Sequence, residues 1–150
     1  MKEIFLKILK CIPAVIMISM IFTFSAQNAE ESSEESNSIA SALVEMVSIE
    51  VDDATLSLIN DVVREMAHFT EFFLLGCSCY LALTSFTRIG RRALLYLILF
   101  CIAYAISDEV HQLFVPGRCF QLQDIIVDSL GATTAILICK FTGSRIRVKC

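Results

Sequence analysis

Charged residues make up only 19% of the 150-residue chain, and they gather in short blocks between apolar runs. Hydrophobic residues reach 56%, above the roughly 45–50% apolar usage of ordinary soluble chains. One small core cannot hide that much apolar surface, so a water-soluble domain is excluded and lipid is the expected solvent. A disulfide framework is missing as well. Seven cysteines are present, but Cys77, Cys79, Cys101 and Cys139 lie inside apolar runs and Cys119 stands by itself in a polar loop. No serine or cysteine sits in a nucleophile motif, which leaves covalent catalysis without support. Tryptophan is absent, no A-x-A pattern ends the first apolar run, and there is no strong G-x-x-x-G association motif. The net charge of −4 conceals a segregation of acids from bases along the chain. Nothing in that pattern calls for a nucleic-acid partner.

What is present reads as an all-α membrane bundle of four spans in a single domain over residues 1–150, with spans at about 4–24, 66–86, 93–113 and 125–141. Basic residues precede the first run, as in a signal peptide, but three further spans follow it, so it is expected to be retained as an anchor. Pro13 removes a backbone donor there and predicts a bend. Residues 27–60 form an acidic, serine-rich outer loop. After Ser38, read as an N-cap, Ile39, Leu43, Met46 and Val47 recur at helical spacing and predict a short helix on the membrane surface. Asp52 and Asp53 read as caps of the helix that runs through the second span. Pro116-Gly117 forces a turn after the third.

Ten of the twelve bases fall on one side of this topology: Lys2, Lys7, Lys10, Arg88, Arg91, Arg92, Lys140, Arg145, Arg147 and Lys149. Fifteen of the sixteen acids fall on or toward the other, together with Arg64 and Arg118. The positive-inside rule then places both termini in the cytoplasm of a multi-pass cytoplasmic-membrane protein.

Polar side chains stand where lipid should forbid them. Asn60, Arg64, His68, Glu71 and Ser78 draw one stripe along the second helix. A charge at mid-bilayer costs roughly 2.5–3.5 kcal/mol on insertion scales, so these residues need partners from other helices. Asp108, His111 and Gln112 share a face of the third helix, while Glu109 is expected to turn away toward water. Arg118 follows the Pro-Gly turn, and Asp124 and Asp128 lie one turn apart at the start of the fourth span, with Gly131 continuing their face and allowing close packing. Three helices thus bring acids, histidines and arginines to one depth near the outer leaflet.

These residues resemble the VanZ-like family of small bacterial membrane proteins. The likeness is carried by Arg64-x3-His68-x2-Glu71 with Leu75-Gly76, by Ala105-Ile106-Ser107-Asp108-Glu109 with Gln112, by Pro116-Gly117-Arg118 and by Asp124-x3-Asp128-x2-Gly131. It extends from about Ile12 to Phe141 and includes the Phe24-Ser25-Ala26-Gln27 exit of the first span. The chain departs from the family pattern at Ala135, where relatives often have glycine, and at Asp128, where they often have asparagine. The resemblance implies a role at the cell envelope and an influence on sensitivity to the glycopeptide teicoplanin, a phenotype without a defined reaction.

The residues themselves support several chemistries. His68, Glu71, Asp108 and His111 are candidate acid-base groups, and Arg64, Glu109, Gln112, Arg118, Asp124 and Asp128 are candidate ligand contacts. The two guanidinium groups suit phosphate or carboxylate. Expected partners are therefore amphiphiles with an anionic head: membrane lipids, a wall precursor or the glycopeptide. The alternatives are a hydrolase or transferase using the same cleft, a proton-coupled transporter, and a salt-bridge network that only fixes packing. No cofactor is expected. His68, Glu71, Asp108 and His111 form a metal set only as an alternative, because the arginines already neutralise the acids.

Overall fold

The computed structural model describes residues 1–48 and 50–147, with side chains up to residue 143. Among them the chain forms six helices and no strand: α1 (Lys2–Leu9), α2 (Ile12–Ser25), α3 (Ala29–Val47), α4 (Asp53–Phe86), α5 (Arg91–Gln112) and α6 (Leu122–Arg147). Four helical stretches are long and apolar enough to cross a membrane: Lys2–Ser25, Asp53–Phe86, Arg91–Gln112 and Leu122–Gly143.

The first stretch is interrupted between α1 and α2. Pro13 occupies the opening turn of α2, where its missing N–H has no intrahelical partner to lose, so the expected bend becomes a break just before the proline.

Residues 27–60 differ most from expectation, being helical over most of their length. α3 starts at Ala29, ten residues before the predicted helix, and its N-cap is Asn28 rather than Ser38. Asn28 Oδ1 accepts from Glu31 N at 2.9 Å, and Glu31 Oε2 accepts from Asn28 N at 3.3 Å. This reciprocal capping box satisfies two donors that the polar run would otherwise leave open. Asn28→Ala should destabilise α3 by about 1 kcal/mol, measured as faster amide exchange over residues 29–36 with α4 to α6 unchanged.

α4 begins at Asp53, where the cap expected at Asp52 places its start. The Asp52 side chain accepts from Thr55 N at 3.0 Å, and from that cap the helix continues unbroken for 34 residues. At 1.5 Å per residue it is about 51 Å long, more than the roughly 30 Å hydrocarbon core of a bilayer. The excess turns pack beside α3.

α4 and α6 run parallel and form the most extensive helix pair. Arg64 meets Asp124 near their starts, and Cys77 Sγ lies 3.7 Å from Cys139 Sγ further along. Close approach depends on two glycines. A methyl group at Gly131 would lie 2.4 Å from the Phe69 carbonyl oxygen, and one at Gly76 would lie 2.6 Å from that of Ala132. Phe72, Leu75, Cys101, Ala105, Ile136 and Ile21 bury themselves around this seam.

At the opposite end of the bundle from Asp124, Lys140 Nζ donates to the Ile89 carbonyl, which brings the basic blocks around Arg88–Arg92 and Lys140 together. Lys149 and the side chains of Arg145 and Arg147, assigned to the same face by sequence, lie outside the described residues.

Candidate functional site

The parallel register of α4 and α6 turns two i, i+4 patterns into a ladder. Residues one turn apart on α4 face residues one turn apart on α6. Arg64 Nη2 lies 3.2 Å from Asp124 Oδ2. One turn deeper, His68 Nδ1 lies 3.4 Å from Asp128 Oδ1, an ion-pair distance outside hydrogen-bond geometry. Side-chain exposure falls along the ladder from 34% at Arg64 to 14% at His68 and 0% at Asp128. Neither Asp128 oxygen has a hydrogen-bond partner among the described residues. Gly131 follows on the same face, so the ladder stops where the two backbones touch.

α5 supplies the opposing wall. Asp108 and Gln112 are buried on one face, and Gln112 Nε2 donates to Asp108 Oδ2 at 3.3 Å. Gly117 has a φ of +77°, a backbone state that a side chain would strain, and it turns the chain so that Arg118 reaches back over the cavity. Arg118 Nε donates to the Gln27 carbonyl at 3.3 Å and Nη1 to Gln112 Oε1 at 3.5 Å. Both acceptors are neutral, and Nη2 has no acceptor among the described residues. Burial, then the nearby Arg64 charge, pulls the Arg118 pKa below its ordinary value, opposed by Asp124, Glu109 and Asp108.

Glu109 corrects the sequence reading. It is 0% exposed rather than turned to water, and its Oε2 accepts from Gln121 N at 2.7 Å. Spacing on α5 does point it away from Asp108, but the chain after the Pro-Gly turn folds back across that side and covers it. His111 is not among the residues that line the cavity between these helices. Its ring packs against Phe22 of α2, with centroids 4.5 Å apart and planes tilted by 30°.

Ser25, Gln27, Glu35, Arg64, His68, Glu71, Asp108, Gln112 and Arg118 line a cavity of about 130 Å³, whose apolar lining comes from Ile21, Phe24, Ile39, Val63 and Ala67. Asp124, Asp128 and Glu109 stand behind this lining. Glu35, with Ser32 and Ser36, enters from α3, in the segment expected to be an acidic outer loop. The capping box at Asn28 was its legible signal. Ser78 lies deeper on the α4 stripe and donates its hydroxyl to the Leu74 carbonyl at 2.7 Å. The alternative metal set does not assemble: among the described residues no three His, Cys, Asp or Glu side chains converge to hold an ion.

The spans and their enclosed ion pairs define a multi-pass helical membrane protein with a polar site inside the bundle. The model of the VanZ/LLP1 family matches residues 10–143, which takes in α2 of the first span, the other three spans and every residue of the site, and the chain belongs to that family. No curated protein and no solved structure matches it.

Proposed function

We propose that the protein sits in a bacterial cytoplasmic membrane with both termini inside, and that its polar cavity opens outward to bind an amphiphile with an anionic head. A lipid, a wall precursor or a glycopeptide meets that description, and occupancy of the cavity would influence sensitivity to glycopeptides such as teicoplanin. The orientation follows from the positive-inside distribution of lysines and arginines.

Arg118 carries this reading. It is held over the cavity by two neutral acceptors, with Nη2 unclaimed by any described residue. A guanidinium placed this way favours phosphate or carboxylate, while Glu71 and Asp108 across the cavity suit hydroxyl groups beside that anion. Arg118→Ala should weaken binding of an anionic lipid or wall precursor to the purified protein by about 10- to 150-fold, the equivalent of losing one charge-assisted hydrogen bond of about 1.5–3 kcal/mol. In cells it should change teicoplanin sensitivity at unchanged protein abundance. Undiminished binding in Arg118→Ala would refute the proposal.

A second reading, hydrolysis or group transfer on the same head, draws on His68. With Nδ1 turned to Asp128, its other ring nitrogen is free to exchange a proton at the cavity, where Glu71 also stands. A product formed from a labelled precursor by the intact protein and lost in His68→Ala would select this reading over simple binding.

A further inference from the structure

Beside the polar cavity, α2, α3 and α4 leave a groove that no described residue fills. α4 presents Leu58, Val62 and Met66 to it, opposite Met20 of α2 and Leu43 of α3. The three α4 side chains are 66%, 57% and 56% exposed. The groove, open along one side, has a volume of about 740 Å³, within the roughly 300–1,000 Å³ of small-ligand sites. Its α4 wall runs from Thr55 to Leu74, about 28 Å at 1.5 Å per residue.

The groove and the cavity adjoin. Ile39, Val63, Ala67 and Glu71 line both. Glu71 is the sole ionisable residue lining the groove among the described residues, and it stands at the junction, so the polarity of the wall changes there from hydrocarbon to charge. A molecule spanning the junction must have an apolar chain on one side and a polar head on the other. The unclaimed donor group of Arg118 sets the sign of that head as negative, and the carboxylates facing it favour hydroxyl groups on the same head.

We infer that the groove seats one acyl chain of an anionic phospholipid with a hydroxylated head, whose phosphate is held at Arg118. This rests on the binding reading above and adds a site for the tail. Ile39 and Leu43 of α3 stand along one side of this α4 face and give the groove a second wall, while Leu58, Val62 and Met66 stay more than half exposed.

Nanodiscs containing the full chain and phosphatidylglycerol with a photoreactive acyl chain provide the test, with the crosslinked residues located by mass spectrometry. Labels should fall within residues 39–43 and 58–74, about tenfold more strongly than from the phosphatidylcholine analogue. Val62→Trp, which fills the groove, should lower them by a similar factor, with Met66→Trp as the second variant should the first fail to fold. Arg118→Ala should remove the preference between the two lipids. Labels outside the groove, or equal labelling by both lipids, would overturn the inference. Binding of soluble glycerophosphoglycerol, measured separately and dependent on Arg118, would show that the head site survives even where the tail site does not.

Discussion

Gly131→Ala is expected to destabilise the bundle by about 3 kcal/mol or more, the upper range for overpacking a tightly filled contact. The added methyl would lie 2.4 Å from the Phe69 carbonyl oxygen and 3.2 Å from the Phe69 carbonyl carbon. These are backbone atoms inside a continuous helix, so no side-chain rotation relieves the overlap. α6 would have to back away from α4, and the Arg64–Asp124 and His68–Asp128 pairs just above would separate with it. Gly143→Ala is the matched control. Among the described residues its methyl would meet the Tyr80 hydroxyl at 3.8 Å, ordinary van der Waals contact, and within α6 it should be neutral or slightly stabilising. Reversible unfolding in mixed detergent micelles measures both, and equal stability of the two variants would show that the α4–α6 seam is not closed at Gly131.

His68→Ala is expected to cost about 3 kcal/mol, because it removes the only ion-pair partner that Asp128 has among the described residues. Asp128 is fully buried and neither oxygen has a hydrogen bond from any described residue, and a buried charge left without its counterpart costs roughly 3–5 kcal/mol. The double variant His68→Ala, Asp128→Asn should regain most of the loss, since the amide leaves no charge to compensate. This coupling distinguishes a lost pair from a lost side-chain volume, which Asp128→Asn cannot restore. A double variant no more stable than His68→Ala would mean that the His68–Asp128 approach contributes nothing to holding the helices.

Much of the site was legible because the bilayer makes polar residues conspicuous. The stripe through Arg64, His68 and Glu71, the pair Asp124 and Asp128, and Gly131 all follow from helical spacing inside apolar runs, and so does the cap at Asp52. The one-to-one partners did not follow. That Arg64 takes Asp124 and His68 takes Asp128 depends on the parallel register of α4 and α6, which no local pattern encodes. Glu109 was misjudged for a similar reason, since helical phase says where a side chain points but not whether a later segment crosses over it. His111 shares its face with Asp108, yet Phe22 of a distant helix claims its ring. In α3, serine and glutamate made the run look like a connector. Its order comes from a cap of two residues and from docking, including Ala29 N to the Pro116 carbonyl at 3.3 Å.

The sequence by itself determined the solvent of this protein, the number of its membrane-crossing helices and the residues that needed partners, because hydropathy and helical period are local properties of the chain. Which partner each charge meets, where the two backbones touch, and that a polar cavity adjoins an apolar groove were decided only by tertiary packing. Those features depend on the relative register of helices about sixty residues apart, and ion pairs and van der Waals contacts act only between groups that packing has already brought within a few ångströms.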